Sequence, residues 1–232
     1  MPGPLALIGG GEFTPAMRSV DTLLLAQATD RRVLFVPAAL GSDGPETVAA
    51  VVRAAQEHFA RLGAKVVVSG VRNHPDAVRE RPRLDDVDLI YLSGAKVGAA
   101  AQVLVATPYV DGLISAWRRG VPLAAASAGA VLLGTWVYDP EEPHSQARRG
   151  VGLVDAAVIP HWQEVSRNEP EFAARVREER PQVLTLDEDT AAVHAGNGWM
   201  VAGRAGVRLG CARELRPLAH DDLPPQRWPA LI

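Results

Sequence analysis

The sequence predicts an α/β fold: a three-layer, doubly wound, mostly parallel sheet with helices on both faces. The first observation behind this prediction is that short apolar, β-branched runs alternate with segments of helical periodicity through the first half of the chain. Strands that alternate with helices form parallel sheets that are covered on both faces. The second is a Gly-Asn-Gly turn at 196–198 between two apolar runs, which predicts a β-hairpin near the C-terminus.

The individual elements follow from local signals. Strands are expected at residues 5–8, 32–37, 65–68, 88–92, 121–126, 156–159, 183–186, 191–194 and 199–202. A first helix is expected to open at Thr14-Pro15, with Thr14 as its N-cap and proline in its first turn. A second runs from Pro45 to a stop at Gly63, and a third region spans 97–119 with a break near Pro108.

Composition limits the classes of function. The 232 residues carry a net charge of −3, which gives no electrostatic footprint for nucleic acid. No apolar run is long enough to span a bilayer, and the start of the chain lacks the pattern of a secretory signal. We therefore expect a cytoplasmic protein. One domain over residues 1–232 is predicted, with the Arg- and Pro-rich residues 213–232 as a surface tail.

Ser127 lies in the most informative segment of the chain, the run from Val121 to Gly134. This run reads VPLAAASAGAVLLG, an apolar strand followed by a small-Ser-small-Gly turn and a helical pattern. Such a strand–turn–helix is typical of a nucleophile elbow, which exposes a serine hydroxyl above a sheet edge. The helix also places its free N–H groups and positive dipole end near the serine. A tightly packed turn without chemistry is the alternative.

A serine nucleophile needs a base, and His161 is the best-placed histidine. It directly follows the apolar run at 157–160, so it is predicted at the carboxyl end of a strand, where Ser127 is also expected. Among the others, His58 is expected in a long helix at a solvated or boundary position, and His144 lies in a polar loop and stays open as an alternative. The rest lie in a turn, beside the hairpin and in the tail: His74, His194 and His220.

Two acidic clusters could orient the imidazole. Residues 187–189 place three carboxylates directly after a predicted strand, with Glu188 in the middle. The second cluster follows the elbow helix and contains Asp139, Glu141 and Glu142. Either cluster could also be an acidic turn that faces water. A carboxylate in this role fixes the tautomer of the histidine and stabilises its charged form.

Three of these segments together resemble peptidase family S51, which includes aspartyl dipeptidase (peptidase E) and cyanophycinase. They are the Ser-Ala-Gly-Ala turn at 127–130, the pair Pro160-His161, and the Asp-Glu-Asp-Thr-Ala run at 187–191. The resemblance extends from about Leu5 to about Val207. It implies a fold like that of the class I glutamine amidotransferase domain, with a serine in place of the cysteine.

The resemblance implies a role for each residue. Ser127 would be the nucleophile, His161 the general base and Glu188 the acid, as in cyanophycinase-like members. Dipeptidase E is associated instead with an acid soon after the elbow, which here indicates Asp139 or Glu142 as the alternative triad acid.

The oxyanion hole implied by the resemblance uses the N–H groups of Gly94 and Ala128. The surrounding turn reads Ser93-Gly-Ala-Lys96, whereas the family usually has Gly-Gly-Asn or Gly-Gly-Asp there. Lys96 therefore stands where a short polar side chain is expected near the substrate, and it could attract a carboxylate.

Three further residues are predicted to bind substrate. After His161 this chain offers only Arg167 where cyanophycinase has several arginines, which disfavours cyanophycin as the substrate. Arg167 is expected to bind an acidic group of a small peptide. Glu12, after the first glycine turn, is expected to face the same pocket and bind an amine, and Trp162 is expected either to line the pocket or to pack.

The leading hypothesis is a serine peptidase that acts on dipeptides or short peptides, without cofactor or metal. The alternative is a catalytically inactive or non-peptidase member of the same fold that binds a small molecule or peptide, which the altered turn at Gly94 motivates. A glutamine amidotransferase is disfavoured because the only cysteine, Cys211, lies far from the elbow. A homodimer is one expected assembly. The sequence leaves open the preferred peptide, whether aspartyl, isoaspartyl or other, and exo- against endopeptidase action.

Overall fold

The structure is a computed structural model that describes residues 1–40, 43–142, 146–179, 182–196, 198–211 and 214–218. Within these residues the strands are β1 (Leu5–Ile8), β2 (Arg32–Val36), β3 (Lys65–Val68), β4 (Leu89–Leu92), β5 (Leu123–Ala126), β6 (Gly134–Val137), β7 (Arg148–Arg149), β8 (Val154–Ile159), β9 (Val183–Leu186), β10 (Thr190–Ala195), β11 (Gly198–Gly203), β12 (Val207–Cys211) and β13 (Glu214–Leu218). The α-helices are α1 (Arg18–Leu24), α2 (Pro45–Arg61), α3 (His74–Arg79), α4 (Val97–Leu104), α5 (Pro108–Arg118), α6 (Ala128–Leu133), α7 (Trp162–Asn168) and α8 (Pro170–Glu179).

The larger sheet has seven strands in the order β11-β10-β1-β5-β4-β2-β3. From β1 to β3 all neighbours are parallel, whereas β10 and β11 are antiparallel additions at one edge. The predicted hairpin is present, because β10 pairs with β11 and closes at Ala195 and Gly198. Asn197, at the tip of the predicted turn, lies outside the described residues.

A second sheet has six strands in the order β13-β12-β9-β8-β6-β7. Only β6, β8 and β9 are mutually parallel, and the other neighbours are antiparallel. The α/β class is therefore confirmed, but the fold contains two mixed sheets where the sequence predicted a single one. The segment that was predicted as a surface tail, residues 213–232, contains strand β13, which pairs with β12. Residues 219–232 of this segment lie outside the described residues.

Helices cover both faces of the larger sheet, as predicted. Alternate residues of β1 point to opposite sides, as they do in any strand. Leu5 and Leu7 pack in the core formed with α4, α5 and α6, whereas Ala6 and Ile8 pack in the core formed with α1 and α2. A third core lies between the second sheet and the helices α7 and α8.

Helix α6 joins the two sheets. It begins directly after β5 of the larger sheet and leads directly into β6 of the second. All six of its residues are buried, which the run Ala-Gly-Ala-Val-Leu-Leu permits because it contains no polar side chain. The start of α6 is thereby held rigidly where the two sheets meet.

The first helix differs from its prediction. Pro15–Met17 forms a single 3-10 turn before α1, and Thr14 makes no side-chain cap to it. The Thr14 hydroxyl instead donates to Asp189 Oδ1 at 3.0 Å, so a contact distant in sequence replaces the local cap. The break near Pro108 is present between α4 and α5.

No single helix in the described ranges is both long and apolar enough to cross a membrane. Helices α4 and α5 reach that length and composition only as a pair, and they are bent by 86°.

Candidate active site

Ser127 lies in a sharp turn between β5 and α6. Its backbone has φ 49° and ψ −118°, and residues other than glycine rarely adopt such a positive φ. Neighbouring strand β1 holds the turn, since Ser127 N–H donates to the Ile8 carbonyl at 2.9 Å. Gly129, two residues on, packs closely against β4, because a methyl group there would lie 3.0 Å from the Leu92 carbonyl oxygen. The small residues of the motif thus let the elbow pack against β4.

His161 follows Pro160 just after the end of β8, and it is the N-cap of α7. It has a left-handed backbone with φ 51° and ψ 35°, and its N–H donates to the Gly9 carbonyl at 3.0 Å. This conformation directs the imidazole toward the elbow. Its Nε2 lies 2.7 Å from Ser127 Oγ. The structure therefore brings the predicted nucleophile and the predicted base within hydrogen-bond distance, as general-base activation requires.

Glu188 lies in the turn after β9 and contacts the opposite ring nitrogen. Its Oε1 accepts a hydrogen bond from His161 Nδ1. An ionised carboxylate only accepts hydrogen bonds, so Nδ1 carries the proton and Nε2 accepts from Ser127 Oγ. The Glu188 side chain is 52% exposed and that of His161 is 31% exposed, so solvent partly screens this pair.

The alternative acids lie elsewhere. Asp139 Oδ1 accepts from the Glu141 N–H at 3.0 Å, and Asp139 Oδ2 lies against Gly98 of α4. Glu142 forms an ion pair with Arg148 at 3.0 Å. Within the described ranges neither carboxylate is hydrogen-bonded to His161. Residue 144, the histidine left open in that loop, lies outside those ranges.

The first glycine turn makes room for this arrangement, a role that the sequence analysis did not predict. A methyl group on Gly10, whose φ is +153°, would collide with Glu188 Oε2 and would lie 2.6 Å from His161 Cε1. One on Gly11 would collide with Asp189 Oδ1. The signal was visible as three consecutive glycines after β1, but they indicated only the end of a strand.

Two neighbouring carboxylates anchor the turn that carries Glu188. Asp187 is fully buried and accepts from Arg208 at 3.0 and 3.1 Å and from the Gly206 N–H at 3.0 Å. Asp189 accepts from Thr14 on the opposite loop. Charge-assisted bonds of this kind are strong, so they fix the direction of Glu188 between them. Arg208 was missed because nothing local in the sequence links β12 to this turn.

Gly94 and Ala128 flank the serine hydroxyl. A methyl group on Gly94 would lie 2.7 Å from Ser127 Cβ and 3.3 Å from Ser127 Oγ, so the turn after β4 approaches the nucleophile closely. The Gly94 N–H donates no hydrogen bond to any described residue. Ala128 is the first residue of α6, where an N–H has no partner within its helix. Neither N–H group therefore has a hydrogen-bond acceptor among the described residues.

The predicted substrate-binding residues occupy different environments. Glu12 lies beside Gly94, since a methyl group on Gly94 would be 2.8 Å from Glu12 Oε1. Lys96 and Arg167 are exposed, one before α4 and the other near the end of α7. Trp162 is only 7% exposed and packs with the core of α7, α8 and the second sheet. That position favours packing over substrate contact.

Nothing in the described ranges suggests a metal centre, since no group of three or more His, Cys, Asp or Glu side chains there could hold an ion. The side chains that are hydrogen-bonded to one another here are the hydroxyl of Ser127, the imidazole of His161 and the carboxylate of Glu188.

Two peptidases of known structure are similar to this chain. A peptidase from an acI-B1 Actinobacterium has a solved structure with a TM-score of 0.85 and 28% identity, covering 96% of each chain. A Peptidase E protein from Listeria monocytogenes EGD-e, with a TM-score of 0.68, 16% identity and coverage of 88% of this chain and 100% of its own, shows a shared fold. No curated protein matches the sequence. The model of peptidase family S51 matches residues 5–201. The chain therefore belongs to peptidase family S51 and is a serine-type peptidase, a hydrolase.

Proposed function

We propose that this peptidase hydrolyses dipeptides and other short peptides through an acyl-enzyme on Ser127, with His161 as general base and Glu188 as the orienting acid. The observation that carries the proposal is the continuous hydrogen-bonded series from Ser127 Oγ through both ring nitrogens of His161 to Glu188. Three separate strand ends supply its members, and the order hydroxyl, imidazole, carboxylate is the one that activates a serine nucleophile.

Acylation begins when Ser127 Oγ attacks the peptide carbonyl carbon and His161 Nε2 takes the hydroxyl proton. The carbonyl oxygen becomes an anion, which the N–H groups of Gly94 and Ala128 stabilise. Removal of one such donor typically costs about 2.7–4 kcal/mol in the transition state. His161 then gives its proton to the leaving amine as the C–N bond breaks, which leaves the acyl group esterified to Ser127.

Deacylation repeats these steps with water. His161 takes a proton from the water, the resulting hydroxide attacks the ester, and the proton returns to Ser127 Oγ as the acid product leaves. Glu188 stabilises the imidazolium in both halves of the reaction. The partial exposure of Glu188 predicts a smaller contribution than a buried acid would make.

A short peptide suits the charges around the nucleophile. Glu12 offers a carboxylate beside Gly94. Lys96 lies on the turn after Gly94 and Arg167 lies on the helix after His161, and both are exposed cations. In the proposed complex these cations attract the terminal carboxylate of the substrate. A dipeptide carries both complementary charges within its own length.

The test compares wild-type protein with Ser127→Ala for release of free amino acids from a dipeptide library and for labelling by a fluorophosphonate. We expect wild type to turn over a subset of the dipeptides and to be labelled at Ser127, and we expect the variant to do neither. A wild-type protein that folds but is neither labelled nor active would instead favour a binding protein with this fold. Equal turnover by the two proteins would place the nucleophile elsewhere.

A further inference from the structure

The carboxylate of Glu12 lies close to the nucleophile although the hydrogen-bonded series does not use it. A methyl group on Gly94 would be 2.8 Å from Glu12 Oε1 and 3.3 Å from Ser127 Oγ. These two oxygens are therefore within about 6 Å of each other, which is less than the screening length of about 8 Å at physiological ionic strength. The charge on Glu12 consequently acts on any charge that forms at Ser127.

Glu12 has no ion-pair partner in the described ranges. Its charge is also felt in the interior. Burial raises the pKa of the Tyr91 phenol well above its usual value, and the negative charges of Asp21 and Glu12 raise it further. The protein thus places a carboxylate without an ion-pair partner in the described ranges beside Ser127 and Gly94, where the oxyanion of the proposed tetrahedral intermediate forms.

A negative charge in this position opposes catalysis unless something neutralises it, because it repels the oxyanion held by Gly94 and Ala128. We propose that Glu12 is a specificity-determining residue that permits rapid acylation of Ser127 only by a substrate that brings a cationic group to its carboxylate. This inference rests on the proposed serine-peptidase function. It makes the substrate itself supply the neutralising charge.

Bond lengths indicate which cation fits. In a peptide the α-nitrogen is two bonds, about 1.52 and 1.46 Å, from the carbonyl carbon of its residue. Ser127 Oγ attacks that carbon from about 3–3.5 Å. A free α-ammonium therefore falls within about 6 Å of Ser127 Oγ, the same range as the Glu12 carboxylate. The matching group is the free α-ammonium of an N-terminal residue whose own carbonyl is attacked.

The same field disfavours an acidic side chain on that first residue. A third carboxylate would enter a site that already holds those of Glu12 and Glu188, and it would offset the charge that the α-ammonium supplies. Neutral or basic first residues are therefore the better substrates.

The experiment compares three dipeptides that all release leucine: Ala-Leu, N-acetyl-Ala-Leu and Asp-Leu. Their kcat/KM values are measured for wild type, for Glu12→Gln and for Glu178→Gln, a control at an exposed position of α8. Wild type is expected to prefer Ala-Leu over its acetylated form by about a hundredfold. Glu12→Gln is expected to reduce that ratio at least tenfold. The same variant is expected to reduce the difference in kcat/KM between Ala-Leu and Asp-Leu. The control is expected to keep both ratios.

Labelling of Ser127 by an uncharged fluorophosphonate shows, for each protein, whether the elbow is intact. Because the probe carries no charge, this readout does not depend on a cationic group near Glu12. The proposal is overturned if the Glu12→Gln protein is labelled and its ratio of kcat/KM for Ala-Leu to kcat/KM for N-acetyl-Ala-Leu equals that of wild type. Equal wild-type rates on free and acetylated peptide also overturn it, because they would show that the protein neutralises Glu12 itself. An equal loss on all peptides by a labelled variant assigns Glu12 a structural role. Absence of labelling in wild type would refute the proposed function instead.

Discussion

Replacing Glu188 by glutamine removes the charge that faces the His161 imidazolium while keeping the size of the side chain. Two unit charges about 4 Å apart interact by about 4 kcal/mol at an effective dielectric constant of 20 and by about 1 kcal/mol in bulk water. With side chains that are 52% and 31% exposed, the pair lies between these limits. At about 1.4 kcal/mol per factor of ten, kcat/KM should fall by between about fivefold and about 700-fold.

The assay is dipeptide hydrolysis, with fluorophosphonate labelling as a measure of Ser127 nucleophilicity. Asp139→Asn and Glu142→Gln serve as matched controls, because they neutralise the alternative acids without touching His161. Both controls are expected to retain kcat/KM within about threefold of wild type. If Glu188→Gln keeps full activity while either control loses it, the assignment of the orienting acid to Glu188 is refuted.

Three further predictions concern close approach, buried charge and pH. Gly94→Ala should lower kcat/KM by about a hundredfold or more, because its methyl group would lie 2.7 Å from Ser127 Cβ and must displace the elbow; unaltered kinetics would contradict this. Asp21→Leu should lower the free energy of unfolding in urea by about 3–5 kcal/mol by leaving buried His58 unpaired, whereas the double variant with His58→Leu should recover most of it. Burial lowers the pKa of His194, so the unfolded chain binds its proton more readily, and stability should fall as pH drops through 6.5; His194→Gln should weaken that dependence.

The larger sheet was predictable because its signals are local. Each parallel strand is a short apolar run bounded by glycine, proline or a helix start, and each catalytic candidate directly follows such a run. The rule that the parallel strands of one sheet end at one edge does not by itself place Ser127 beside His161, because β5 and β8 lie in different sheets. Strands β8 and β9 of the second sheet were expected from the sequence, but β6 was not, and so their separation into a second sheet was missed. Strand β6 begins at Gly134, the residue that also ends α6, so no loop in the sequence marks its start.

Contacts between distant segments could not be predicted from local pattern. His58 was expected at a solvated or boundary position, yet it is 2% exposed and lies 2.7 Å from Asp21, which is fully buried. The periodicity of one helix shows which residues share a face, but it does not show that a neighbouring helix offers a carboxylate there. Burial raises the pKa of Asp21, so the hydrogen bond to His58 offsets a real desolvation cost.

The two carboxylates nearest the nucleophile act in opposite directions in the proposed reaction. Glu188 faces the imidazole, where positive charge appears during attack, and so lowers the energy of the transition state. Glu12 faces the oxyanion side, where negative charge appears, and raises that energy unless the substrate neutralises it. Because the tetrahedral intermediate creates both charges at once, the net field depends on the substrate. Selection by charge is therefore expected to act on the chemical step and to appear in kcat as well as in KM.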